Sequence, residues 1–93
     1  MFKTNTYFDD KVLSIGFKND EGKATIGVMA AGEYTFGTTS IEYMTVISGE
    51  MQVQLPETTE WISYKAYETF IVQANQSFHV KVISDTSYKC VYK

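Results

Sequence analysis

Met51, Val53 and Leu55 alternate with Gln52 and Gln54, and Phe78, Val80 and Val82 alternate with His79 and Lys81. A period of two puts successive side chains on opposite faces of an extended chain, so both stretches predict half-buried strands. Residues 23–30, 43–48, 51–55, 69–73, 78–83 and 87–92 are all short runs rich in Val, Ile, Thr, Tyr and Phe, and read the same way. Turn-forming residues punctuate them: Asn19-Asp20-Glu21-Gly22, Gly32, Gly37, Ser48-Gly49, Pro56, Ala74-Asn75 and Ser84-Asp85. No long window carries apolar residues at helical spacing. Six or more short strands in succession predict an all-β fold, either a sandwich or a small barrel.

A chain of 93 residues without linker, repeat or low-complexity tract predicts one domain, residues 1–93, around one modest core. The formal net charge is −3 and all eight basic residues are lysines. That balance argues against nucleic acid or an anionic membrane as partner, since both call for clustered Lys and Arg. Without a guanidinium fork, a bound anion must be held by Lys, hydroxyls or backbone N–H groups. The lone Cys90 allows no internal disulfide and suits a reducing cytoplasm. The opening stretch MFKTNTYFDDKV lacks the apolar run of a signal peptide, and nothing approaches the ~20 apolar residues of a membrane span. A cytoplasmic protein is expected.

The segment IEYMTVISGEMQVQLP, residues 41–56, carries only two formal charges, Glu42 and Glu50. Glu50 belongs to the turn at Gly49. Glu42 heads an apolar run, as either a solvated strand end or a carboxyl facing the inside of a barrel. Glu42, six residues, then Gly49 reproduces the second half of the first cupin motif. Around it, SIGF (14–17), KATIGVM (23–29), GEYTF (32–36), Trp61 with Tyr64, FIVQANQSF (70–78) and SYKCVY (87–92) follow in order. Together they resemble the small single-domain cupins of the pyrimidine/purine nucleoside phosphorylase family over nearly the whole chain. The stretch MTVISG and the Tyr88, Cys90, Tyr92 ending are the most specific parts.

The resemblance implies an all-β, single-domain cupin (RmlC-like) β-barrel or jelly roll that assembles as a homodimer. It implies phosphorolysis: a purine or pyrimidine nucleoside plus inorganic phosphate gives free base and pentose 1-phosphate. Its departures from metal-binding cupins are specific. The first-motif histidines would fall at 35 and 37 or at 36 and 38, where this chain has Thr35, Phe36, Gly37 and Thr38. The second-motif ligand position holds Phe78, and His79 lies one residue late, which sends a strand side chain to the other face. In the same motif Gln73 replaces a proline and Asn75 a glycine. Zinc and iron favour several nitrogen or sulfur ligands, so no metal or other cofactor is expected beyond phosphate as co-substrate.

Within the cupin frame Glu42 points inward beside Met44 and Val46. Desolvation there would raise its pKa and suit it to catalysis, through the ribose hydroxyls, the sugar's charge or a proton for the base. Tyr34, Phe36, Phe70 and Tyr92 are the candidate stacking surfaces, since stacking tolerates every base. Thr38, Thr39, Ser48 and the backbone near Gly37 are candidates for phosphate, with a lysine in support. His79, the only histidine, reads as a polar-face residue; were that face at the barrel mouth, it and Lys81 would attract phosphate. Trp61 reads as a packing residue and Cys90 as a buried, inert thiol. Rival readings are a metal-free cupin that binds a small molecule without turning it over, a metallo-cupin oxygenase or isomerase, and a structural dimer module.

Overall fold

The computed structural model of the chain describes residues 2–93. Ten strands form, in order β1 (Thr4–Tyr7), β2 (Val12–Asn19), β3 (Gly22–Met29), β4 (Gly32–Gly37), β5 (Glu42–Ser48), β6 (Glu50–Gln54), β7 (Ile62–Lys65), β8 (Thr69–Val72), β9 (Ser77–Val82) and β10 (Thr86–Tyr92). They make two antiparallel sheets, one ordered β1-β2-β3-β10-β5-β8 and the other β4-β9-β6-β7. No helix is long and apolar enough to cross a membrane.

The six runs read from alternation correspond to β3, β5, β6, β8, β9 and β10, with ends shifted by about a residue. Four strands escaped that reading. Gly32 and Gly37, read as separators, are instead the first and last residues of β4. On β2 the pattern is inverted: Leu13 and Ile15 point outward, while Ser14 is buried on the inner face. β1 is short and mostly polar, and β7 is a short edge strand whose Ile62 is 45% exposed.

Local chemistry sets the turns. The β2–β3 hairpin closes with Asn19 opposite Gly22; Asn19 Oδ1 accepts a hydrogen bond from the Glu21 amide (2.9 Å), and Gly22 takes φ +103°. At Gly49 (φ +99°) the chain leaves the larger sheet for the smaller, so the strands flanking it are not a hairpin. A Cβ at Gly49 would run into the Thr86 side chain. Asn75 takes φ +60°, a left-handed conformation that Asn tolerates better than most residues, so it can stand where a glycine would.

The inner faces of both sheets supply the core, including Met29, Met44, Val46, Met51, Val53 and Phe78. Toward one end the inward positions change character. Ser14 and Gly16 of β2, Thr25 of β3 and Glu42 of β5 replace bulky hydrophobes, and the core gives way to open space there.

Candidate functional site

That space is a cavity of about 380 Å³, within the roughly 300–1,000 Å³ range of small-molecule sites. The β5–β10 register builds its polar wall: Glu42 lies directly opposite Tyr92, and Met44 opposite Cys90. Since residues two apart share a face, Tyr88, Cys90 and Tyr92 all reach it, with Ser14 on β2 beside them. Gly27 leaves room for this wall, because any side chain there would overlap the Tyr88 ring.

The opposite wall is aromatic. Phe36 stacks on Phe78 (centroids 5.6 Å apart, 29° between planes), and Phe8 meets Phe36 edge-on at 5.5 Å. Phe8 is held there by an unusual turn in which Phe8, Asp9 and Asp10 all have positive φ, 54°, 56° and 66°. Consecutive left-handed residues other than glycine are strained, and the Phe8 ring, 5.0 Å from Tyr34 and packed on Phe36, helps hold the turn in place.

Glu42 is half-buried, and desolvation raises its carboxyl above the ordinary value; the hydrogen bond donated by Cys90 Sγ to Oε1 (3.5 Å) opposes that only in part. Among the described residues the one ion pair is Lys89–Glu21, so no cation neutralises Glu42. Burial pushes the Cys90 thiol well above its usual range, and the Glu42 charge adds to the shift. Tyr88 is pushed up to about 12, again chiefly by burial, and Tyr92 rises likewise. The cavity therefore holds neutral thiol and phenol groups around one carboxyl that takes up a proton more readily than a surface glutamate does.

Of the residues singled out from sequence, Phe36, Glu42 and Tyr92 line this cavity. Tyr34 and Phe70 lie behind it in the core, where the Tyr34 hydroxyl donates to Ala30 O (2.6 Å) and Phe70 packs on Tyr64 and Phe78. Thr38 is buried and its hydroxyl is already engaged, donating to Gln73 O (2.7 Å) and accepting from the Gln76 amide (3.1 Å). Thr39 lies on a neighbouring groove. Ser48 is exposed at the far end of β5, opposite Ser87. His79 is on the outer face of the smaller sheet, its Nδ1 2.8 Å from Thr35 Oγ1, and Lys81 on the same face covers the Trp61 ring at 4.5 Å. Tyr7, Phe8 and Ser14 reach the cavity without having been singled out. They sit on β1, β2 and the turn between them, where polar or inverted patterning hid the strands; period two along β10 would have found Tyr88 and Cys90.

The positions that would carry first-motif metal-ligating histidines in a cupin hold Thr35, Phe36, Gly37 and Thr38 here; the first three line the cavity and Thr38 does not. No cluster of three His, Cys, Asp or Glu side chains occurs among the described residues. Glu42 and a thiol held protonated are too few and too hard to ionise to make a zinc or iron site, so the residues present do not fit one.

Two facing antiparallel sheets with an inward-facing glutamate at one end define a cupin-type β fold. A cupin superfamily protein from Desulfitobacterium hafniense has the same fold, with TM-score 0.70 at 11% identity over 95% of this chain and 83% of its own. The chain belongs to the pyrimidine/purine nucleoside phosphorylase family, whose pattern it matches over residues 2–92. A relative of that name from Pseudomonas syringae pv. tomato is 55% identical over 93 residues, covering all of both chains. A crystal structure of a protein of unknown function from Vibrio parahaemolyticus superposes with TM-score 0.94 at 41% identity, over 100% of this chain and 99% of that one.

Proposed function

We propose that the chain is a nucleoside phosphorylase acting on purine and pyrimidine nucleosides, with the nucleoside in the 380 Å³ cavity and Glu42 as proton donor to the departing base. The observation that carries this reading is a half-buried carboxyl, without a counter-cation, on the wall of an aromatic-lined cavity. Phe8, Phe36 and Phe78 offer flat surfaces that bind a base by stacking, which suits a broad range of bases.

In the reaction a phosphate oxygen forms a bond to C1′ as the C1′–N bond breaks, its electron pair leaving with the base. Glu42, protonated, gives its proton to the base nitrogen. The hydrogen phosphate loses its own proton as the ester forms, and that proton restores the carboxyl. Atoms and charge balance with phosphate as sole co-substrate and no metal or other cofactor. A donor whose pKa lies nearer the working pH is more effective, and burial moves Glu42 in that direction.

The enzyme works as a cytoplasmic homodimer in this reading. The free, buried Cys90 is consistent with a reducing compartment. The outer face of the larger sheet carries Leu13 opposite Val28 and Ile15 opposite Ile26, each exposed. A second copy presenting the same patch about a two-fold axis would bury both. The activity is tested by phosphate-dependent release of base from uridine and inosine. Release that is absent, or that proceeds equally well without phosphate, would overturn it.

A further inference from the structure

A second groove adjoins the nucleoside cavity, sharing Tyr7 and Tyr92 with it. It encloses about 820 Å³ and carries Lys3, Lys18 and Lys23, three of the chain's eight lysines, yet no acidic side chain lines it although Asp and Glu total 11. We infer that this groove is the phosphate subsite, with Lys3, Lys18 and Lys23 holding inorganic phosphate beside the sugar of the bound nucleoside. The inference rests on the phosphorylase reading and adds the second substrate's site to it.

The strand register explains the cluster. Lys18 and Lys23 are direct cross-strand partners on β2 and β3, and the Gly16 amide donates to Lys3 O (3.0 Å). Lys18 shares its face of β2 with Ser14 and Gly16, and Lys23 shares its face of β3 with Thr25, so both project on the cavity side of the sheet. Like charges directly opposite one another destabilise a sheet. Among the described residues no carboxylate pairs with either lysine: Glu21, in the turn between them, is drawn away by Lys89 at 3.0 and 3.1 Å. A phosphate dianion would supply the missing counter-charge. The floor is open as well, because a Cβ added at Gly16 would meet nothing closer than 4.0 Å.

Position argues for the same ligand. The nucleoside cavity has no cation and one carboxyl on its lining, so a dianion placed there would be uncompensated. Tyr7 and Tyr92 line both spaces, and the Tyr92 hydroxyl lies 3.2 Å from Thr25 Oγ1 at the boundary. Phosphate held in the groove would thus approach the sugar from the side away from the aromatic wall. Thr39, a candidate phosphate ligand from the sequence, borders this groove, whereas the Thr38 hydroxyl is engaged elsewhere and Ser48 is remote.

The test compares wild type with Lys18→Gln/Lys23→Gln, with Gly16→Leu, which fills the floor without altering charge, and with Lys65→Gln/Lys81→Gln as a charge-matched control on the smaller sheet, outside both spaces. Inorganic phosphate is titrated by calorimetry against sodium chloride of equal ionic strength, and phosphate and nucleoside KM values are measured separately. Charged hydrogen bonds of ordinary strength give about a tenfold rise in phosphate Kd and KM per lysine removed. Nucleoside KM should hold, and the control should behave as wild type. Unchanged phosphate KM and Kd in both groove variants would overturn the subsite while leaving the phosphorylase reading intact. Phosphate binding that depends on the lysines, in a protein that releases no base, would keep the subsite and overturn the phosphorylase reading. Phosphate binding no stronger than chloride's, with no release of base, would overturn both.

Discussion

Glu42 and Tyr92 are directly opposed partners on β5 and β10, and both face the same cavity. Tyr92 is held neutral by burial, and Glu42 is the one carboxyl on the lining, its pKa raised above the ordinary value by desolvation. Glu42→Gln keeps the size of the side chain and removes the ionisable group. It is expected to lower kcat/KM for uridine and inosine on the order of 10²-fold, a barrier increase of about 2.7 kcal/mol. Glu50→Gln, at the Gly49 corner and outside both cavities, is expected to leave both rates near wild type. Wild-type rates in Glu42→Gln would remove Glu42 from the chemistry.

The same carboxyl makes stability depend on pH. Its pKa in the fold lies above the ordinary 4.5, so its contribution is fully present below 4.5 and is lost as pH rises through the raised value. At neutral pH the buried charge therefore weighs against the fold, and Glu42→Gln is expected to melt higher than wild type. The gap should close as pH falls toward 4.5. A gap of constant size across that range, followed by scanning calorimetry, would point to a cause other than ionisation.

Gly27 and Tyr88 face each other across β3 and β10, with no room for a side chain at Gly27. Gly27→Ala must displace the Tyr88 ring, an overpacking change that costs about 1–3 kcal/mol. Because Tyr88 walls the cavity, nucleoside KM should rise along with the loss of stability. Urea denaturation and steady-state kinetics report the two effects separately.

In the proposed homodimer the exposed patch of Leu13, Ile15, Ile26 and Val28 is the expected interface. Ile26→Lys places a charge at its centre and is expected to halve the mass seen by light scattering while leaving the circular dichroism of the fold unchanged. A dimer that persists in this variant would place the interface elsewhere.

Since the cavity offers one carboxyl and a protonated thiol as metal donors, dialysis against EDTA is expected to leave phosphorolysis intact. Loss of activity restored by Zn²⁺ or Fe²⁺ would contradict the metal-free mechanism.

Strands with one apolar and one polar face were legible in the sequence because burial on one side writes a period of two into the residues, as on β6 and β9. The position of Glu42 at the head of β5 was legible from its spacing to Gly49, and Tyr88, Cys90 and Tyr92 were readable as sharing a face. β2 was not legible, for a reason tied to the site: its inward residues, Ser14 and Gly16, are small because they border open space, and its outward Leu13 and Ile15 are apolar yet exposed. Local pattern records how well a strand is buried, so it fails where one face of a strand lines a cavity. Tertiary structure alone decided which candidates meet. Two residues 50 apart, Glu42 and Tyr92, become neighbours only through the pairing of β5 with β10, while the outward side chain of His79 keeps it away from them. Nothing in the linear sequence groups the lysines at 3, 18 and 23. Their convergence on one groove comes from the β1–β2–β3 register, a property of strand pairing that no single strand carries.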